Sequence, residues 1–263
     1  MKIAILYVCT GKYTVFWKDF YSTCEKRFIP EAEKHYFVFT DANEIDFEKE
    51  NNNISKIFQN NLGWPNNTLL RYEMFLRIKE TLSSFDYIFF FNANIIFNET
   101  ITKDMFLPND SQNYVAAIHS GYFNKKVNKY PYDRNIKSLA YIPNGNGGKY
   151  YQGAINGGKT KDFIEAITLM DKNIKEDQKN GIVAKWHDES HWNKFLLNRK
   201  DVKILNPGFL YPEGKNIPFN KVILLRDKEK LFPSLFDIRG QKINFIKKYF
   251  FYYKKKLGKI IKR

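Results

Sequence analysis

The chain has 263 residues and is 43% hydrophobic, enough for one large or two small domains whose core needs no disulfide bonds. Of its formal net charge of +15, residues 241–263 supply nine positive charges and no acid, which leaves +6 for residues 1–240. Because this excess lies mainly in a tail and not on a folded face, the composition argues against a nucleic-acid-binding protein.

In chain order, short runs rich in Val, Ile and Phe alternate with longer stretches of helical period, which is typical of an α/β domain with a largely parallel sheet. The predicted strands are residues 2–9, 36–40, 54–58, 87–91, 115–119, 202–205 and 222–225. The predicted helices are residues 13–28, a segment beginning near residue 65, residues 161–179 and residues 187–198. The unusual stretch 149–158 is assigned no element. The pattern predicts one α/β domain, residues 1–240, and a separate tail, residues 241–263.

The compartment is predicted from three features of the sequence. The two cysteines, Cys9 and Cys24, suit reduced thiols in a cytosolic protein. The chain starts almost directly with a predicted strand instead of a signal peptide, and it has no apolar run long enough to span a bilayer. We therefore expect a cytoplasmic protein.

A cluster of acids and imidazoles opens the helix predicted at residues 187–198. Asp188 and Glu189 fall in its first turn, where the positive end of the helix favours carboxylates. Alone, the cluster fits a helix-capping group as well as a reactive site. A zinc site is disfavoured, because His187 and His191 lack the usual order of the helical zinc motif.

Asn92-Ala93-Asn94 follows the buried strand predicted at residues 87–91, where ligands bind in open α/β sheets. Two amides bring no charge and are poor ligands for a hard divalent cation, so we expect no metal. An anionic ligand would then need cationic side chains, and Arg226 and Lys228 after the last strand are candidates. Taken alone, these residues also fit a strand-end turn and solvated surface charge.

Seven segments share their order and spacing with one enzyme family. They read YVCTGKY at 7–13, YFVFTD at 36–41, FFNAN at 90–94, YIP at 141–143, YYQGAINGG at 150–158, WHDES at 186–190 and LRDK at 225–228. With them the chain resembles glycosyltransferase family 6, the family of the ABO blood-group transferases and α-1,3-galactosyltransferases, and most resembles its bacterial members.

The resemblance implies a GT-A fold, a UDP-sugar donor and retention at the anomeric carbon. The residues at donor positions, with the two candidate cations added, are Tyr7, Cys9, Tyr13, Arg71, Asn92, Asn94, Gln152, Gly153, Ala154, Asp188, Arg226 and Lys228. His119, Trp186 and Glu189 fall at acceptor or reaction-centre positions. Asn92 and Asn94 replace the metal-binding aspartates of the mammalian enzymes, and bacterial relatives of this form are metal-independent, so no cofactor is expected.

Within that resemblance, Glu189 is the catalytic candidate. It could form a covalent glycosyl intermediate, or stabilise an oxocarbenium-like transition state and orient the acceptor, and we favour the second. Gln152, Gly153 and Ala154 occupy the triplet that selects the donor sugar. Ala154 leaves both galactose and N-acetylgalactosamine open, with a small preference for galactose.

The acceptor is expected to be a β-galactoside, fucosylated or not, joined through an α-1,3 linkage. Ser120 and residues 131–134 depart from the family pattern on the acceptor side, which leaves the acceptor's identity open. The rival hypothesis is a catalytically inactive, sugar-binding relative of the same fold. An inverting transferase of this fold should keep metal-binding acids after the strand.

The basic tail, residues 241–263, mixes lysines with aromatic and aliphatic residues, the composition of an interfacial membrane anchor. We expect it to dock the enzyme on the cytoplasmic face of the inner membrane, where lipid-linked saccharide acceptors lie. A disordered tail and nucleic-acid binding are the alternatives, and we expect no nucleic-acid partner.

Overall fold

The computed structural model describes residues 1–228. Residues Met1–Arg226 form one compact unit, and only the first two residues of the second unit, Asp227–Arg263, fall in the described range. The predicted tail and the boundary at residue 240 lie outside the described residues and stay predictions. Within residues 1–228, no helix is both long and apolar enough to cross a bilayer.

The centre of the fold is a seven-stranded sheet in the order β3-β2-β1-β4-β7-β6-β8. Its strands are β1 Lys2–Val8, β2 Glu33–Thr40, β3 Ile54–Phe58, β4 Tyr87–Phe91, β6 Tyr114–Ile118, β7 Tyr151–Lys159 and β8 Val202–Leu205. Strand β7 runs antiparallel to both of its neighbours, and the other adjacent strands pair in parallel. This mixed, mostly parallel α/β sheet confirms the predicted fold class.

Helices cover both faces of the sheet. They are α1 Trp17–Arg27, α2 Asn66–Leu69, α3 Arg71–Leu76, α4 Lys79–Leu82, α5 Lys103–Phe106, α6 Thr160–Lys179 and α7 Asp188–Phe195. Successive residues of a strand point to opposite faces. Leu6 and Phe90 therefore pack with α3, α6 and α7, whereas Tyr7 and Phe91 pack on the aromatic side chains of α1.

A small second sheet, in the order β5-β10-β9, lies beyond the end of β4. Its strands are β5 Ile95–Phe97, β9 Tyr211–Pro212 and β10 Ile223–Leu225. The antiparallel pairing of β10 with β5 brings Arg226 next to Asn94, and the Arg226 amide donates to the Asn94 carbonyl oxygen at 2.8 Å.

Several predicted bounds differ from the structure. The first predicted strand ends at Val8, and the helix predicted at residues 13–28 is a 3-10 turn, Gly11–Phe16, followed by α1. The segment starting near residue 65 is broken into α2 and α3, and α7 is shorter than residues 187–198. The largest difference is β7, because its glycines hid a strand that the structure places inside the sheet.

Candidate active site

One edge of the large sheet collects the predicted site segments. Because β7 runs opposite to its neighbours, its first residues lie beside the last residues of β4 and β6. The Asn92 amide donates to the Ala154 carbonyl oxygen at 2.9 Å, and the His119 amide donates to the Tyr150 carbonyl oxygen at 2.9 Å. The Asn-Ala-Asn turn, His119 and the triplet starting at Gln152 therefore meet at this edge, as expected for ligand sites in α/β sheets.

The carboxylate of Glu189, in the first turn of α7, is held by two donors. Oε2 accepts from the Gly153 amide at 2.8 Å, and Oε1 accepts a short hydrogen bond from the Tyr150 hydroxyl. Burial raises the pKa of Glu189 to about 7, although both hydrogen bonds favour the ionised form. A fixed carboxylate with a pKa near neutrality suits a general base or the stabilisation of positive charge.

Asp188, the neighbour of Glu189, forms a buried ion pair with Arg71 at the start of α3. Arg71 Nε lies 3.1 Å from Asp188 Oδ2, and both side chains are nearly inaccessible to solvent. Burial raises the pKa of Asp188 to about 6, against the opposing charge of Arg71. The geometry falls short of a hydrogen bond, and both oxygens of Asp188 have no hydrogen-bond donor in the structure. Because the Asp188 side chain is only 1% exposed, the carboxylate faces Arg71 and not open solvent, and its contact with a donor sugar stays a prediction.

Arg71 also links this pair to β7 and β4. Its Nη1 donates to the Gly153 carbonyl oxygen at 3.1 Å, and its guanidinium lies 4.2 Å from the centre of the Phe90 ring. Gly153 thus joins the two acids, since its carbonyl faces Arg71 while its amide faces Glu189. A side chain at this position would crowd Glu189, because an added Cβ would lie 3.1 Å from the Glu189 Cβ.

Asn193, one turn after Glu189, fixes α7 against β7. Its side chain accepts from the Tyr151 amide at 2.9 Å and donates to the Tyr151 carbonyl oxygen at 2.8 Å. The same amide nitrogen lies 2.9 Å from the Glu189 carbonyl oxygen. This pairing sets the register between the helix that bears Glu189 and the strand that bears the donor triplet.

The helix-capping interpretation of the acid cluster does not describe its main contacts. The N-cap of α7 is His187, whose side chain makes no capping hydrogen bond. Both carboxylates instead contact residues of other elements, as described above. The ring of His187, directly before Asp188, lies 5.2 Å from the ring of Trp64. Trp186, the residue before His187, is 44% exposed. The two tryptophans provide apolar surface at the site's rim.

His119 follows β6 on the predicted acceptor side. Its Nδ1 accepts from the Gly121 amide at 2.9 Å, and its ring packs 4.9 Å from that of Tyr122. Burial lowers the pKa of His119 to about 4, so the imidazole is neutral at pH 7. With Nδ1 as acceptor, the proton of the neutral ring is on Nε2, which is then a hydrogen-bond donor.

The side chains of two predicted donor residues are not at the surface. Tyr7 is fully buried between β1 and α1, where its hydroxyl donates to the Ala93 carbonyl oxygen at 2.8 Å. Cys9 is also fully buried, and its carbonyl oxygen accepts from the Thr40 hydroxyl. Tyr13, in the 3-10 turn, is partly exposed. In this structure Tyr7 and Cys9 shape the strand ends, and their contact with a nucleotide stays a prediction.

The two amides that follow β4 have different environments. Asn92 is partly exposed and donates to Asn94 Oδ1 at 3.2 Å. Asn94 is buried, and its amide nitrogen donates to the Arg226 carbonyl oxygen at 2.6 Å. Asn94 therefore links the end of β4 in the large sheet to the end of β10 in the small sheet. Within residues 1–228, no group of three or more His, Cys, Asp or Glu side chains could hold a metal ion.

The two candidate cations also differ. The Arg226 guanidinium is paired with Asp19 of α1, at 2.7 Å between Nη1 and Oδ2, and so part of its charge is already balanced. Lys228 is partly buried and closes the described range. Whether either residue binds an anion stays a prediction.

Sequence reasoning missed Tyr150 and Asn193, the two residues that hold Glu189 and its helix in place. Both contact partners about 40 residues away in the chain, at separations of 39 and 42. Tyr150 left one signal, its place in an aromatic pair directly before the donor triplet. Asn193 left none, because an amide inside a helix usually faces solvent.

Tyr150→Phe is expected to change the pH dependence of catalysis. Loss of the hydroxyl removes a hydrogen bond that favours ionised Glu189, so the pKa of that carboxyl should rise above about 7. If ionised Glu189 is the active form, the activity of the native protein rises with pH through about 7. In the variant this limb should move to higher pH. Tyr130→Phe is the matched control, and equal profiles for all three proteins would contradict the prediction.

Known proteins are similar to this chain along the whole of its described part. The model of glycosyltransferase family 6 matches residues 1–228. The O-antigen biosynthesis glycosyltransferase WbnI of Escherichia coli is 38% identical over 230 residues, covering 88% of this chain and 96% of its own. The globoside alpha-1,3-N-acetylgalactosaminyltransferase 1 of Gallus gallus is 31% identical, with 86% and 66% covered.

A third relative, the histo-blood group ABO system transferase 1 of Rattus norvegicus, is 29% identical over 208 residues, with 77% of this chain and 58% of its own covered. The match thus spans nearly all of the bacterial relative and about two thirds or less of the two animal ones. The family match covers the whole described part of the chain, and a bacterial and an animal relative each exceed 30% identity. This chain belongs to glycosyltransferase family 6.

Proposed function

We propose that this glycosyltransferase moves galactose or N-acetylgalactosamine from a UDP-sugar to a β-galactoside, in an α-1,3 linkage and with retention at the anomeric carbon. The observation that carries the proposal is the Glu189 carboxylate, held by Gly153 within the donor triplet and by Tyr150 just before it. An inactive relative would have no need of a carboxylate fixed in this way with a raised pKa.

In the proposed reaction, the bond between the anomeric carbon and the diphosphate oxygen breaks, and a bond to the acceptor oxygen forms on the same face of the sugar. The acceptor proton passes to the departing diphosphate oxygen or to Glu189. Glu189 stabilises the positive charge that develops on the sugar, or bonds to it transiently. Asp188 would contact a donor-sugar hydroxyl if donor binding opens its buried pair with Arg71. His119, a donor through Nε2, suits an acceptor oxygen.

We also propose that the reaction needs no divalent metal. Asn92 and Asn94 offer no carboxylate, and Asn94 Oδ1, the atom that would bind a cation, accepts a hydrogen bond from the Asn92 side chain at 3.2 Å. Cationic side chains would then offset the charge of the diphosphate, with Arg226 and Lys228 as candidates. Removal of metal should leave the rate unchanged.

The proposal is tested by UDP release from UDP-galactose and from UDP-N-acetylgalactosamine, each with EDTA and with manganese, using 2′-fucosyllactose as acceptor. We expect turnover with at least one donor and equal rates in both conditions. A rate that falls more than about ten-fold in EDTA would refute the metal-free step. A bound donor with no transfer to any β-galactoside would favour the inactive relative.

The names of the relatives bear on the biological role. One acts in O-antigen biosynthesis and another adds N-acetylgalactosamine to globoside. We propose a role in surface polysaccharide assembly, on lipid-linked acceptors at the cytoplasmic face of the inner membrane. The basic tail, residues 241–263, would supply the attachment, since each lysine contributes about 1 kcal/mol near an anionic surface.

Deletion of residues 241–263 is expected to weaken sedimentation with anionic vesicles by at least ten-fold in lipid concentration, because nine positive charges are lost. Transfer to a soluble acceptor should continue. The matched control is a chain of full length whose tail residues are shuffled, which keeps the charge. Equal vesicle binding with and without the tail would remove its assigned role.

A further inference from the structure

Residues 121–149, within the segment between β6 and β7, carry most of the net charge that lies outside the tail. We call these residues the β6–β7 loop. Its six basic residues are Lys125, Lys126, Lys129, Arg134, Lys137 and Lys149. Its one acid, Asp133, is buried and accepts from the amides of Asn135 and Lys185. The loop thus has a net charge of +5, whereas all of residues 1–240 together have +6.

Exposed aliphatic side chains belong to the same part of the chain or lie next to it. Ile136 is 77% exposed and Leu139 is 41% exposed, and both belong to the β6–β7 loop. Val183, after α6, is 53% exposed. Protruding aliphatic residues among lysines are the composition of surfaces that enter the boundary between lipid headgroups and acyl chains.

Buried hydrogen bonds hold this surface together. Asp177, near the end of α6, accepts from the Leu139 amide at 2.9 Å and from the Ser138 hydroxyl at 2.8 Å. The Asp177 carbonyl oxygen accepts from the Ile182 amide at 2.8 Å. The backbone of Leu139 and that of Ile182 are therefore both held close to Asp177, which places Leu139 and Val183 in one region of the folded domain. Ile136 precedes Leu139 by three residues in the same loop.

The same loop borders the acceptor side of the site. The rings of Tyr122 and Tyr132 lie 5.2 and 5.4 Å from that of Tyr150. The Tyr150 hydroxyl in turn donates a hydrogen bond to Glu189. The Tyr132 hydroxyl also donates to the Lys149 carbonyl oxygen at 2.6 Å. A partner that covers the β6–β7 loop would therefore lie beside the entry for the acceptor.

We propose that the β6–β7 loop, together with Val183, is a docking surface for an anionic lipid bilayer. Positive charge alone would also fit an anionic saccharide, but exposed Ile136 and Leu139 gain from burial in lipid and offer no hydrogen bonds to a sugar. This surface belongs to the catalytic domain and is distinct from the tail. Binding of lipid by this surface does not depend on the proposed function. Only its consequence, that the site receives an acceptor held in the membrane, rests on the proposed function.

The test places a fluorophore that responds to polarity on the full-length chain. Cys9 and Cys24 are the two cysteines of the chain and both are buried, so a cysteine at an exposed position is labelled selectively. Ile136→Cys reports on the proposed surface. Phe58→Cys, which is 67% exposed on the edge strand β3, is the matched control. Vesicles of phosphatidylcholine with and without phosphatidylglycerol are then added.

We expect the label at residue 136 to shift to the blue with vesicles that contain phosphatidylglycerol, and the label at residue 58 to stay unchanged. Replacing Lys125 and Lys126 by Gln should raise the lipid concentration for half of this shift on the order of ten-fold. The same replacement of Lys79 and Lys161, two exposed lysines at the opposite edge of the sheet, should leave it unchanged.

Three outcomes would overturn the inference. The label at residue 136 could stay in water while the chain sediments with vesicles, so that the attachment lies elsewhere. It could respond equally to neutral vesicles, or respond to an anionic oligosaccharide and not to lipid. Transfer to 2′-fucosyllactose is measured in parallel. If transfer is absent while the label still enters the bilayer, the proposed function fails and the docking surface stands.

Discussion

Glu189→Gln is expected to lower kcat by roughly 10²–10⁴-fold, the range for loss of a positioned acid or base. The Gln amide is nearly the same size, but it cannot carry the negative charge that the proposed reaction requires at the anomeric carbon. One side of the amide would also place an NH₂ group against a donor, either the Gly153 amide or the Tyr150 hydroxyl. The readout is UDP release under saturating donor and acceptor.

The matched control is Glu176→Gln, which removes an exposed carboxylate paired with Lys179 on α6. This variant should keep the native rate. If Glu189→Gln retained more than about a tenth of the native kcat with an unchanged fold, the carboxylate would not be the reacting group. The inactive-relative hypothesis makes a different prediction, because then neither variant nor the native chain would release UDP above background.

Arg71→Met is expected to destabilise the fold by about 3–5 kcal/mol at pH 8, the cost of leaving one charge of a buried pair without its partner. The Asp188 carboxylate would remain buried without the guanidinium that now lies 3.1 Å away, and this guanidinium opposes the rise of its pKa. The free energy of unfolding is measured with urea at pH 8, above the pKa of about 6 for Asp188, so that the native carboxyl is ionised.

Two further variants complete this test. Arg71→Met combined with Asp188→Asn should cost less than the sum of the single changes, since neither charge is then left alone. Glu44→Gln breaks the exposed pair with Lys49 and should change stability by no resolvable amount. Simple addition of the two single effects would show that the pair contributes nothing as a pair.

The general architecture was accessible from the sequence because it depends on local patterns. The apolar runs that became β1, β2 and β4 are nearly continuous, as strands buried on both faces must be. The polar residues after β4 and β6 lie at the same end of the sheet in the structure, as the pattern predicted. These features need only the order of residues and the rule that parallel strands share one binding edge.

What the sequence could not predict depends on contacts between distant segments. Strand β7 was missed because Gly153, Gly157 and Gly158 are poor strand formers. Their lack of a side chain is needed because neighbouring segments approach them closely, and that approach exists only in the folded domain. The direction of β7 is likewise invisible locally. The burial of Tyr7 and the hydrogen bond from Asn94 to Arg226 also depend on packing between elements. The motif predicted that both residues lie near the site, but it could not predict what their side chains contact.

The glycines of β7 have a practical consequence for redesign of donor choice. At Gly157 an added Cβ would collide with the Ile88 carbonyl oxygen and with Phe89, so this position tolerates no side chain. Gln152, by contrast, is partly exposed, and Ala154 lies at the last position before the strand becomes fully enclosed. A mutant library aimed at new sugar donors should therefore vary Gln152 and Ala154 and leave Gly157 unchanged, since a side chain at Gly157 would collide with the neighbouring strand β4.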